Sequence, residues 1–214
     1  MINYISKQTI KQTQCKQIFD KAFKQVQKDA KAEGLTFSCN LVGSAKRNMI
    51  LENKNEGFDC DYQLFLQKNK KGLSPSKIKN LLMQLFDKYL SKNNGFTCCE
   101  DSTTAITKKR KNTNGKILFQ YDIVILDCNQ KIPSIIKRNN SGHTWCPLPQ
   151  EKNYPSNLEE IEGSEMWDEL RELYREKKDL QFHNKGYQGR KSFQILNEAI
   201  NEILQQYSEN RRLP

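Results

Sequence analysis

The chain has 214 residues, which suits one large domain or a domain with a small appendage. Hydrophobic residues make up 36% and charged residues 28%; no apolar run approaches eighteen residues, so no transmembrane helix or membrane partner is expected. Net charge is +10 but uneven: residues 1–150 hold 25 Lys and Arg against 12 Asp and Glu, residues 151–214 hold 10 against 13. A basic N-terminal part suits polyanions such as nucleoside triphosphates, RNA or DNA. The first residues, MINYISKQTIKQTQ, lack the apolar core of a secretion signal, and the seven cysteines follow no framework spacing. Reduced thiols and a cytoplasmic location are the expectation.

Residues 7–32 predict a helix, with Ile18, Phe19, Ala22, Phe23, Val26 and Ala30 at helical spacing and lysines over much of the rest. That stripe is expected to pack on a sheet. Residues 36–42 predict a strand that ends at Gly43-Ser44. A glycine there lets the backbone turn sharply and a ligand come close. If Ala45 onward opens a helix, its N–H groups with Ser44, Lys46 and Arg47 make a phosphate cradle. The next strand alternates: Asp59, Asp61 and Gln63 face one way, Cys60, Tyr62, Leu64 and Leu66 the other. Two carboxylates two residues apart on one face repel, and a divalent cation is the usual remedy.

Residues 68–72 read as a loop. Ser74-Pro75 predicts a capped start for a core helix that runs to about Lys92. Residues 96–108 predict a strand. The basic run 108–111 then leads to Asn114-Gly115, a strong hairpin signal, with the basic charges at or near its tip. The returning strand, residues 116–126, holds Asp122 as the one charge in its apolar second half. An acid there needs a partner, and a metal shared with Asp59 and Asp61 would be one.

Gly43-Ser44, Asp59-x-Asp61 and Asp122, in that order, resemble the signature elements of the nucleotidyltransferase superfamily typified by DNA polymerase β. The surroundings look most like its template-independent arm, the oligoadenylate synthases, cGAS-like enzymes and bacterial relatives. The resemblance implies an α+β fold, a mixed β-sheet nucleotidyltransferase core braced by helices. Residues 1–150 would form that core, and residues 151–214 a short C-terminal helical region packed on it. It implies two Mg²⁺ or Mn²⁺ ions on Asp59, Asp61 and Asp122, with Gly43, Ser44, Lys46 and Arg47 on the phosphates of ATP or GTP. It implies transfer of a nucleotidyl group to an acceptor hydroxyl with release of pyrophosphate. The first choice of acceptor is another nucleotide, in an oligonucleotide or cyclic-nucleotide synthase. RNA-end or tRNA transfer, toxins included, is the alternative, with RNA held by the basic hairpin 108–111. Transfer to an antibiotic or protein hydroxyl, and a catalytically silent nucleotide-binding module, stay open.

Residues 132–149 are weakly periodic. His143 and Cys146, with Cys98-Cys99, invite a zinc reading, but the spacing matches no zinc pattern, and satisfied core or loop residues are the better expectation. Residues 153–163 read as an acidic loop. Residues 164–179 and 191–207 read as helices, and 184–190 as a loop. Lys185, Tyr187, Arg190 and Lys191 are candidates there for base stacking or phosphate contact.

Overall fold

The apolar stripe of the first helix decides how the larger unit is built. The structure, a computed structural model, describes residues 3–4, 10–52, 57–148, 154–183 and 192–210. In chain order the elements are β1 (Asn3–Tyr4), α1 (Ile10–Ala32), β2 (Leu35–Val42), α2 (Gly43–Arg47), β3 (Leu51–Glu52), β4 (Phe58–Asn69) and α3 (Pro75–Tyr89). There follow β5 (Glu100–Asp101), β6 (Ala105–Lys111), β7 (Ile117–Asp127), β8 (Ser134–Asn139), β9 (Gly142–Pro147), α4 (Tyr154–Ile161), α5 (Met166–His183) and α6 (Ser192–Asn210). They divide into two compact units, residues 5–149 and residues 1–4 with 150–214.

In the larger unit the strands lie in the order β2-β4-β7-β6-β5, with β8 on the end of β7 and β9 on β8. Strands β4 and β7 run parallel; the other pairs are antiparallel. The mixed sheet and its helices make the fold α+β. Helix α1 buries Cys15, Phe19, Ala22, Phe23, Val26 and Ala30. Phe19 stacks on Tyr62 of β4 at 3.5 Å between ring centroids and meets the edge of Tyr121 of β7 at 5.1 Å. Each such aromatic pair adds about 0.5–1.5 kcal/mol beyond the area it buries. Ser74 caps α3, its hydroxyl accepting from the N–H of Lys77, and Pro75 stands at the first helical position. Helix α3 buries Ile78, Leu82, Leu85 and Phe86, and is tied to α1 where Lys88 and Tyr89 both donate to Asp29.

The two helices therefore cover the sheet face that carries Cys60, Tyr62, Leu64, Tyr121, Ile123 and Ile125. Strand alternation sends Asp59, Asp61, Gln120 and Asp122 to the opposite face. Asp59 is exposed, and Asp61, Gln120 and Asp122 are half-buried.

Several local expectations shift. The strand expected over residues 96–108 is broken: β5 ends at Asp101, and the chain reverses through Ser102, whose N–H donates to Ala105 O, before β6 starts. Strand β4 runs on to Asn69, into the stretch read as loop. Residues 132–149 contain a full hairpin, β8 and β9. The acidic stretch 153–163 holds helix α4, with Leu158 and Ile161 buried. The hairpin at Asn114-Gly115 is as expected, with Gly115 at φ 76° and the Asn112 carboxamide oxygen accepting from the N–H groups of Asn114 and Lys116.

In the smaller unit α5 and α6 pack together, burying Leu170, Tyr174, Ile195, Ala199, Ile200 and Ile203. Lys177 pairs with Glu202 at 2.7 Å, and the Tyr207 hydroxyl donates to Glu169. Lys185, Tyr187, Arg190 and Lys191 lie outside the described residues. Among the described residues no helix is long and apolar enough to cross a membrane.

Candidate active site

Register brings the candidate acids together. Across the sheet, Val42 of β2 pairs with Asp61 of β4, Asp61 with Asp122 of β7, and Asp122 with Thr107 of β6. Asp59 lies two residues from Asp61 on the same face, opposite Gln120. Paired strands lie about 4.8 Å apart. Three carboxylates thus share a small patch although 60 residues of chain separate Asp61 from Asp122.

The electrostatics follow. Burial pushes the Asp61 carboxyl up to about 7, and the charges of Asp59 and Asp122 push it the same way. Asp122 is held at both oxygens: Thr107 donates to Oδ1 at 2.5 Å and the Gln120 amide donates to Oδ2 at 3.0 Å. Neither Thr107 nor Gln120 was singled out by sequence reading. The hairpin closes at Asn112 and Lys116, and a register shift between Arg110 and Lys111 then sets Thr107 opposite Asp122, so counting residues from the turn alone does not give this pair.

The turn at the end of β2 closes over the same patch. Gly43 adopts φ 65° and opens α2, a single helical turn. Ser44 and Arg47 are half-buried and Lys46 is exposed. Asn48 ends the turn in the left-handed region, φ 60°, where the N–H of Met49 donates to Ser44 O. Gly43 stands against Asp61, and Ser44 follows it in the turn.

The basic run behaves differently from its sequence reading. Lys108 is 1% exposed and pairs with Asp87 of α3 at 2.5 Å. Lys109 pairs with Glu100 at 2.7 Å. Arg110 lies over the rings of Phe96 and Phe119. Three of the four charges offered to a polyanion are engaged within the chain, and Lys111 is the exposed one.

Among the described residues His143 and Cys146 join no group of metal-ligating side chains. The His143 ring faces Asp101 through Nε2 at 3.0 Å and Ser76 through Nδ1 at 3.2 Å, a satisfied inter-element contact. Among the described residues no group of three or more His, Cys, Asp or Glu side chains is placed to hold a metal ion as it stands, the three aspartates included. The aspartate patch is an open, all-oxygen surface. Such a surface suits Mg²⁺ or Mn²⁺, which take one or two carboxylates and complete their shell with water and phosphate oxygen. Burial and, after it, the charges of Asp59 and Asp122 press on the Asp61 carboxyl, and a cation held there would relieve that pressure, so the donor chemistry fits such ions.

No protein-family model matches the chain, and no curated protein matches it significantly. Solved structures do. The chain superposes on the Vibrio cholerae DncV cyclic AMP-GMP synthase, a prokaryotic cGAS homolog, with a TM-score of 0.56 and 16% identity over 79% of this chain and 45% of that one. With the same enzyme in complex with nonhydrolyzable GTP the TM-score is 0.59, at 17% identity over 86% of this chain and 52% of that one. Escherichia coli DncV in a 3'-deoxy GTP bound form gives 0.55, at 14% identity over 78% and 46%. The fold is that of a cGAS-like nucleotidyltransferase. The chain spans about half the length of these cGAS-like neighbours, and the likeness is one of fold.

Proposed function

We propose that the chain is a metal-dependent nucleotidyltransferase that moves a nucleoside monophosphate from ATP or GTP to an acceptor hydroxyl and releases pyrophosphate. The observation that carries this reading is the patch of Asp59, Asp61 and Asp122 on one sheet face, with the Asp61 carboxyl pushed up by burial first and then by the charges of the other two. The neighbours' bound nucleotides support it, since the DncV structures hold GTP or its analogues. The division of labour would be a catalytic core in residues 1–150 and a helical region in 151–214.

Asp59, Asp61 and Asp122 would hold two Mg²⁺ or Mn²⁺ ions, which when bound neutralise the triphosphate and acidify the acceptor hydroxyl. Gly43 and Ser44 present backbone N–H groups and a hydroxyl to the phosphates, and Lys46 and Arg47 offset the charge that develops on departing pyrophosphate. Asp122, fixed at both oxygens, faces the acceptor and takes its proton. The acceptor oxygen then bonds to the α-phosphorus as the bridging P–O bond breaks. The protein's share is positioning and charge complementarity.

A template-independent oligonucleotide or cyclic-nucleotide synthase is the reading the DncV likeness supports best. RNA-end transfer is the second reading, and the burial of Lys108 and the engagement of Lys109 and Arg110 within the chain count against the hairpin route to it. Incubation with each labelled NTP in Mg²⁺ or Mn²⁺, with and without total tRNA, separates the two. Label in small oligonucleotides without RNA supports the synthase, and label only in RNA supports the tailing enzyme. Asp61→Asn and Asp122→Asn should each abolish transfer while the protein stays folded. Full turnover in either variant would overturn the assignment.

A further inference from the structure

We propose that Thr107 is a positioning residue for Asp122, and that Ser102 and Lys79 hold it in that role. The inference rests on the reading of Asp59, Asp61 and Asp122 as the metal-binding acids.

Thr107 is the cross-strand partner of Asp122 and is 6% exposed. Its Oγ1 lies 2.5 Å from Asp122 Oδ1 and 3.0 Å from Ser102 Oγ. A hydroxyl has one proton, and an ionised carboxylate only accepts. The Thr107 proton therefore points at Asp122, and the Ser102 hydroxyl donates to Thr107. The chain has one direction: Ser102 to Thr107 to Asp122.

Ser102 is itself fixed. Its N–H donates to Ala105 O at 3.1 Å, and its carbonyl accepts from the Lys79 ammonium at 2.7 Å. Lys79 projects from α3, is 1% exposed, and pairs with Asp101 Oδ1 at 2.7 Å. Asp101 in turn faces His143 of β9. The reversal between β5 and β6 is thus clamped by a buried cation, and the clamp aims a hydroxyl at the acid.

The consequence is geometric. Gln120 on the same strand holds Oδ2, and Thr107 on the neighbouring strand holds Oδ1. Two donors on two oxygens fix the plane of the carboxylate, and the low exposure of Thr107 keeps water from replacing it. Partners of this kind around metal ligands typically set metal affinity or activity by about 10–100-fold.

The test compares Thr107→Val, which removes the hydroxyl at similar volume, with Thr107→Ser, which keeps it. Two readouts are taken: binding of Mn²⁺ alone, followed by electron paramagnetic resonance, and steady-state kcat and KM for ATP. Thr107→Val should bind Mn²⁺ roughly 10-fold more weakly and lose roughly 10–100-fold in kcat, with KM nearly unchanged. Thr107→Ser should recover to within about threefold of the wild type in both. Wild-type behaviour in Thr107→Val, or a Thr107→Ser as impaired as Thr107→Val, overturns the proposal alone. A wild type that neither binds Mn²⁺ nor transfers nucleotide overturns the reading of the acids and the proposal with it. If Thr107→Val fails to fold, Ser102→Ala, half-buried and outside the core, takes its place with the same two readouts. A loss of roughly 3–10-fold supports the proposal, and none overturns it.

Discussion

Gly43 lies so close to the carboxylate of Asp61 that a Cβ at this position would stand 2.2 Å from Oδ2. The turn that ends β2 crosses directly over the acid, since Val42 is the register partner of Asp61. The φ of 65° adds a second restriction, because only glycine adopts it without cost. Gly43→Ala must therefore displace either the turn or the carboxylate. We expect at least a roughly 100-fold loss of nucleotidyl transfer and a stability loss of about 1–3 kcal/mol. A labelled-NTP assay and a thermal melt check both. Activity within threefold of the wild type would show that the contact does not shape the site.

Asp61 predicts a pH dependence. Burial first, then Asp59 and Asp122, push its carboxyl up to about 7. The folded chain thus keeps a proton that the unfolded chain releases near pH 4. Between those values the folded state binds more protons, so rising pH removes stability. Discounted for partial exposure, the loss is on the order of 2 kcal/mol. Metal-free wild type and Asp61→Asn should melt together below about pH 4, where Asp61 is protonated in both the folded and the unfolded chain, and the variant should melt a few degrees higher at pH 8. Mn²⁺ at pH 8 should close that gap, and at about pH 6, where folded Asp61 still holds its proton, metal binding should release it. A gap that is the same at both pH values would refute the electrostatic account.

Lys108 and Lys111 should separate structural from surface charge. Lys108 is enclosed and paired with Asp87, whose side chain is 39% exposed and can be rehydrated. Lys108→Ala should cost about 1–3 kcal/mol in urea unfolding, and Lys111→Ala less than about 0.5. Equal costs would mean that the Asp87 pair contributes nothing. The distinction matters for any RNA-binding measurement. Loss of binding in Lys108 variants would track unfolding, whereas Lys111→Glu tests contact with RNA.

The elements that carry chemistry were legible because local rules govern them. Strand alternation alone puts Asp59 and Asp61 on one face. The Gly43 turn, the Ser74-Pro75 helix start and the Asn114-Gly115 hairpin are each specified by residues within a few positions. The partners of these residues were not legible, because register and long-range packing select them. Thr107 reads as an ordinary strand threonine until β6 is laid beside β7. Lys79 reads as a helix-surface lysine until the reversal after Asp101 folds back on α3. The basic run looked like a hairpin tip, but it lies within β6, where alternation and neighbouring elements claim its side chains one by one. Helix α4 was missed because its acidic residues masked an apolar pair, Leu158 and Ile161, that only packing reveals.

Asp101 gathers more of the fold than its sequence context suggests. Its carboxylate meets Lys79 of α3 at 2.7 Å and His143 of β9 at 3.0 Å, with Arg138 of β8 at 3.9 Å. Burial depresses the Lys79 ammonium pKa, and the bond to Asp101 opposes that push. Asp101→Asn keeps the shape and removes the counter-charge, so Lys79 is left enclosed as an uncompensated cation. The expected cost at neutral pH is about 3–5 kcal/mol. The sign of its pH dependence follows. A Lys79 pKa lowered further in the folded variant means that the unfolded chain binds the extra proton, so stability returns as pH rises toward the ordinary lysine value. A second substitution, Lys79→Met, should recover part of the loss by removing the stranded charge. Asp101→Asn would then be less stable than the double variant, a signature that simple loss of packing does not produce. A single variant within about 1 kcal/mol of the wild type would show that the clamp on the β5–β6 reversal does not depend on this ion pair.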